Sequence, residues 1–113
     1  MKKLECYIRP SKLEVVMEEL TKAGITGVSI SNVKGHGTQH GYTEMYRGTA
    51  RKVQLLEKVR LDIVLSATNV TRVAKLIMEA AKTDEVGDGK IFVLPVEQAY
   101  RIRTGEKGKK AIS

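Results

Sequence analysis

The 113-residue sequence predicts an α+β fold, a four-stranded antiparallel sheet with two helices on one face. Three observations carry that expectation. A strand–helix–strand pattern occurs twice, each helix keeps a single apolar stripe, and a polar glycine-rich stretch separates the two halves. Two such halves joined in one sheet give a ferredoxin-like βαββαβ architecture in a single domain.

The elements follow in order. "KKLECYIRP" alternates from Leu4 to Ile8 and stops at Pro10, as a strand does. "SKLE" has the form of a capping box, with Ser11 as N-cap and Glu14 reaching back. Leu13, Val16, Met17 and Leu20 make the stripe of the first helix, and Gly24 ends it. "ITGVSISNV" is the second strand, with Val28 and Ile30 on one face and Ser29 and Ser31 on the other. "KVRLDIVLS" is the third, with Val59, Leu61, Ile63 and Leu65 on a single face. "TNVTRVAKLIMEAAKT" is the second helix, with Val70, Val73, Ala74, Ile77 and Ala81 as its stripe. "GDGKIFVLPV" is the fourth strand, "QAYRIR" reads as a short fifth, and "GEKGKK" reads as a solvated, mobile tail.

Composition narrows the function classes. No apolar run reaches membrane-spanning length, and the N-terminal pattern has no apolar leader region, so a secretory signal is not expected. The single cysteine, Cys6, rules out an intrachain disulfide and suits a reducing cytoplasm. Being in phase with Leu4 and Ile8, Cys6 reads as a small buried apolar residue. The formal charge of +7 favours an anionic ligand, though part of the excess sits in the tail. Nucleic acid is not expected: base-stacking sheets carry aromatics on their central strands, and "VRLDIVL" has none.

The sheet face without helices is the informative one. Tyr7 and Arg9, Ser29 and Ser31, and Lys58, Asp62 and Val64 all lie opposite the core. The fourth strand is apolar on both faces, Ile91 and Val93 on one, Phe92 and Leu94 on the other. A strand with one solvated face has no use for a second apolar set, so another subunit is expected to cover it.

Several segments could carry chemistry. Gly87-Asp88-Gly89-Lys90 can present backbone N–H groups and a lysine to an anion, or can simply be a tight turn. Arg101 and Arg103, two apart, can form a polyphosphate fork on an extended strand or a charged edge. "GHGTQHGYTEMYRG", residues 35 to 48, holds both histidines. His36 and His40 have i, i+4 spacing for a metal, but the glycines disfavour the helix that would align them. The stretch is long enough for a binding loop, and a mobile surface loop is the other reading. No nucleophile–base pair is evident, so no enzyme is expected.

Taken together, these segments resemble the PII signal-transduction family from Met1 to about Glu106. "VKGHGTQHGYTEMYRG" is similar to the start of its T-loop (about 36–56), "TDEVGDGKIFV" to its B-loop (about 82–90), and "RIRTGE" to its C-terminal loop (101–113 with the tail). The resemblance implies a homotrimer with clefts between subunits that take ATP or ADP. It implies 2-oxoglutarate bound beside ATP through Mg²⁺, and a T-loop that controls a partner, an ammonium transporter or a nitrogen-metabolism enzyme. That partner would be the only link to a membrane.

By position, the resemblance assigns phosphate contacts to Gly87, Asp88, Gly89 and Lys90, with Arg101 and Arg103 closing the clamp across the interface. Gly35 and Gly37 let the backbone approach, and Asp62 and Val64 lie near the nucleoside. Gln39 ligates Mg²⁺, Lys58 pairs with a carboxylate of 2-oxoglutarate beside Gly87, and Arg47 contacts the partner. Thr38 stands in the nucleotide site where many relatives carry a phosphate-holding arginine. Asp62 replaces a usual glutamate. Arg51 occupies the position of the tyrosine that is uridylylated in many relatives, so no uridylylation is expected. A metal-binding or stress-related trimer of similar fold with a vestigial nucleotide site is the alternative from another class.

Overall fold

The computed structural model describes residues 1–37 and 54–113. Four strands form one antiparallel sheet in the order β2-β3-β1-β4, with β1 at Lys2–Ile8, β2 at Val28–Gly37, β3 at Gln54–Leu65 and β4 at Lys90–Pro95. The helices α1 (Leu13–Lys22) and α2 (Val70–Ala81) pack together on one face. This is the α+β, ferredoxin-like arrangement that the sequence predicts.

Strand parity sorts the side chains as expected. Leu4, Cys6 and Ile8 of β1 and Val59, Leu61, Ile63 and Leu65 of β3 all point into the core. Val16 and Leu20 of α1 and Val73, Ile77 and Ala81 of α2 close it from above, with Leu13, Met17 and Val70 at its margin. Removing each large side chain from water stabilises the fold by about 1.5–3 kcal/mol, which is why the period-2 and period-3.6 patterns are so well kept. Cys6 has no exposed surface, and burial pushes its thiol up to about 12, with Asp62 and Glu5 adding to the effect. It is an inert core residue.

Gly24 ends α1 by the expected route. At φ +80° its N–H donates to the Thr21 carbonyl at 3.0 Å, and the Ile25 N–H reaches the Leu20 carbonyl at 2.9 Å. That pair of bonds is a Schellman motif, and Ile25 packs back onto the core to complete it.

The start of α1 corrects the sequence reading. Ser11 does not cap the helix; it lies inside a 3₁₀ turn, Pro10–Lys12, that runs into α1, and neither end has a side-chain cap bond. Pro10, with its fixed φ, already starts helical geometry one turn earlier, so Ser11 is no longer at the boundary.

The C-terminal segment corrects two more expectations. "QAYRIR" makes no fifth strand: Tyr100 forms one isolated bridge with Lys107 around a turn closed by Arg101 N–H to Glu106 and Gly105 N–H to Arg101. The tail is not loose either, because Lys109–Ile112 forms a helical turn and Arg101 donates to the Ser113 backbone oxygen at 2.7 Å. Gly105 and Gly108, both at positive φ, permit the reversals that fold it back.

The fourth strand leaves apolar surface open. Phe92 on the helix-free face and Val93 on the opposite face are each about half exposed, at 48% and 49%. Ile102, at the tip of the C-terminal turn, is fully exposed. Among the described residues no helix is long and apolar enough to cross a membrane.

Candidate functional site

The register of the sheet builds the site. Ile8 lies opposite Val59, and Tyr7 lies opposite Lys90. Continuing the first ladder by one step and the second by two places Arg9 between Lys58 of β3 and Asp88, just before β4. Two cations and one carboxylate therefore share one row at the end of the sheet. Arg9 donates through Nε to Asp88 at 2.9 Å and through Nη2 to the Val86 carbonyl at 2.9 Å. Lys58 donates to the Gly87 carbonyl.

Asp88 is the hub of the loop that precedes β4. Besides Arg9, it accepts the Thr83 hydroxyl, the Thr83 N–H at 2.7 Å and the Asp84 N–H at 3.0 Å. The Thr83 hydroxyl first, then the Thr83 N–H, Arg9 and the Asp84 N–H, hold its carboxyl far below the usual carboxylate range. Lys58 shifts the other way. Burial lowers its ammonium below the ordinary lysine value, the neighbouring Arg9 lowers it further, and Asp88 works against both. One acid cannot balance two adjacent cations, so the row has surplus positive charge and favours an anion.

The glycines are fixed by geometry. Gly89 has φ +103°, and a Cβ there would sit 1.7 Å from the Tyr7 carbonyl oxygen. Gly87 has φ +106°, and its Cβ would lie 3.3 Å from Arg9 Nη2 and 3.6 Å from Lys58 Nζ. Among the described residues no hydrogen bond engages the N–H groups of Val86, Gly87 or Asp88. Free N–H groups in a positive-φ turn beside lysines make an anion-binding concavity.

An open cleft of about 590 Å³ lies over this loop. Gly35 and His36 line it from β2, Lys58 from β3, Tyr7 from β1, and Glu85 through Lys90 with Phe92 from the loop and β4. Tyr7 and Phe92 meet edge to face, with ring centroids 6.0 Å apart, and give the cleft a rigid apolar wall.

Of the residues singled out in the sequence, Gly35, Lys58, Gly87, Asp88, Gly89 and Lys90 converge on this cleft. Gly37 pairs with Gln54 where the β2–β3 ribbon ends. Asp62 and Val64 lie further along β3 on the open face, where Asp62 is ion-paired with Lys3 at 3.2 Å and Arg60 at 3.1 Å. Arg101 and Arg103 are away from the cleft, in the C-terminal turn. They are not a fork on an extended strand, since Gly105 bends the segment and Arg101 is tied to Glu106 at 3.0 Å. Thr38, Gln39 and Arg47 lie outside the described residues.

Arg9 received no role from the sequence beyond its place on the open face. The missed signal is the register itself: opposite charges directly across an antiparallel pair attract, and Arg9 faces Asp88 in that way.

Comparison with known proteins agrees with this fold. The family model described as nitrogen regulatory protein P-II matches residues 1–106. Nitrogen regulatory protein P-II of Cereibacter sphaeroides is 51% identical over 112 residues, covering 99% of this chain and 100% of its own. The proteins of that name from Nostoc punctiforme and Azospirillum brasilense are 50% and 49% identical, with the same coverage.

Proposed function

The chain belongs to the nitrogen regulatory protein P-II family, and from that premise we propose that it is a non-catalytic, cytoplasmic sensor of ATP, ADP and 2-oxoglutarate. The observation that carries this reading is the convergence of Gly35, Lys58, Gly87, Gly89 and Lys90, from three separate segments of chain, on one positively charged cleft. In this reading the N–H groups around Gly87 and the Lys90 ammonium hold nucleotide phosphates, and Lys58 leaves the Gly87 carbonyl to take a carboxylate of 2-oxoglutarate.

The rest of the site comes from elsewhere. The half-exposed apolar faces of β4 and the fully exposed Ile102 support burial against further copies of the chain, as a homotrimer. Arg101 and Arg103 then reach the neighbouring subunit's cleft, and Asp62 and Val64 face the nucleoside there. Asp88 has its oxygens taken up by Thr83, Asp84 and Arg9, which leaves the Gln39 side-chain oxygen, the phosphates and the keto acid as ligands for Mg²⁺. A hard, octahedral cation suits that oxygen set.

Regulation follows by linkage. ATP with Mg²⁺ and 2-oxoglutarate stabilises one arrangement of the T-loop and ADP permits another, each by its difference in affinity for the two states. Arg47 makes the contact with the target, an ammonium transporter; the altered apex "GTARKVQ" keeps an enzyme of nitrogen metabolism as the second reading. Titration calorimetry of Gln39→Ala tests the ligand assignment. With ATP and Mg²⁺ present, its affinity for 2-oxoglutarate falls by roughly tenfold or more, since even outer-shell partners of a metal are worth that much. Unchanged affinity removes Gln39 from the Mg²⁺ site.

A further inference from the structure

We propose that Asp88 is a positioning residue rather than a ligand: with Arg9 it forms a strut that sets the 83–90 loop in its anion-binding shape. The inference rests on the nucleotide reading of the cleft and assigns a new role within it.

A carboxylate in a phosphate cradle is a contradiction if it faces the phosphates. Its negative charge opposes theirs, and it adds no donor. Asp88 resolves this by turning its oxygens elsewhere. Four donors converge on them: the Thr83 hydroxyl, the Thr83 and Asp84 N–H groups, and Arg9 Nε at 2.9 Å. The strut spans two segments that share no backbone ladder. Thr83 and Asp84 lie at the start of the loop, Arg9 just past the end of β1, and Asp88 between the two positive-φ glycines.

The other end of the strut fixes the loop's carbonyls. Arg9 Nη2 holds the Val86 carbonyl at 2.9 Å while Nε holds Asp88, so one planar guanidinium ties two points of the loop at once. With Val86 held by its carbonyl and Asp88 by its side chain, the N–H groups of Val86, Gly87 and Asp88 make no hydrogen bond among the described residues. Asp84 has φ +67°, an uncommon conformation for a residue with a side chain, and its N–H is one of the four donors that hold it there. The strut therefore converts a flexible glycine turn into a preorganised concavity, which lowers the ordering cost of binding.

The sign of one substitution separates the two roles. Asp88→Asn removes a negative charge from the rim of the cleft and keeps the shape of the side chain. If Asp88 acts on the ligand only through its charge, ATP binds more tightly. If it is a strut, losing the charged bond to Arg9 loosens the loop and ATP binds more weakly, by roughly tenfold. Arg9→Ala should have a similar effect, and the double variant should be little worse than either single one.

Two measurements settle it. Calorimetry with ATP and Mg²⁺ is expected to give weaker binding for Asp88→Asn; equal or tighter binding in the folded variant overturns the strut. Amide hydrogen exchange on the ligand-free protein is expected to show faster exchange at Thr83 and Asp84 with unchanged protection in β1; unchanged exchange at both amides also overturns it. The exchange result stands even if the wild type binds no ATP, in which case the sensor reading fails and the strut is judged separately. Thr83→Val, which removes one donor without changing charge, is the second variant. It should move affinity and exchange in the same direction by less, and no change in either contradicts the strut.

Discussion

Gly89→Ala is expected to lose both the cleft and a large part of the protein's stability. The Cβ it adds would lie 1.7 Å from the Tyr7 carbonyl oxygen, a backbone atom in a central strand that cannot swing aside. Its φ of +103° is also one that alanine rarely adopts. Backbone strain and overpacking together cost about 2–4 kcal/mol. The loop must then pull away from β1, which separates Asp88 from Arg9 and Gly87 from Lys58. Thermal unfolding should show a drop of roughly 10 °C or more, and calorimetry should show no ATP binding. Gly27→Ala is the matched control, because a Cβ there meets nothing within 4 Å and should leave both measurements unchanged.

Lys58→Met is expected to separate ligand binding from folding. Lys58 is held as a cation beside Arg9 at a cost, since burial and that neighbour both lower its proton affinity. A methionine of similar length fills the same space without the repulsion, so the fold should be as stable as the wild type or slightly more so. Binding of 2-oxoglutarate should fall by roughly thirtyfold or more, the cost of removing one member of a desolvated charge pair. The same shift sets a pH dependence. Lys58 must be protonated to hold a carboxylate, so wild-type affinity should decline as pH rises through its lowered value, and Lys58→Met should lack that decline. An unaltered affinity for 2-oxoglutarate in Lys58→Met would take Lys58 out of the site.

Much of this was legible in the sequence because the core imposes strict periods. Leu4, Cys6 and Ile8 or Val59, Leu61 and Ile63 can be read as one face only if alternate side chains are buried, and they are. The stripes of α1 and α2 follow for the same reason. Local signals did less well where a neighbour overrode them. Ser11 has the chemistry of an N-cap, but Pro10 one residue earlier starts the turn before it. "YRIR" has the alternation of a strand, but Gly105 and the Arg101–Glu106 pair fold it into a turn.

The site was legible as residue types and not as geometry. Gly87, Gly89 and Lys90 mark an anion turn, yet nothing local says that Arg9, 79 residues from Asp88, ties that turn down. That contact depends on which strands are neighbours and in what register, and both are properties of the whole sheet. Lys58 shows the same limit. Its position on the open face follows from parity, whereas its lowered proton affinity follows from burial first and then from Arg9, just past the end of β1.

The measurement that bears most directly on the sensor account is a titration of 2-oxoglutarate into the wild-type protein with and without ATP and Mg²⁺. The account predicts binding heat when ATP and Mg²⁺ are both present and none when either is left out, because the keto acid shares its metal with the nucleotide. Equal 2-oxoglutarate binding without ATP, or no ATP binding under any condition, would contradict it.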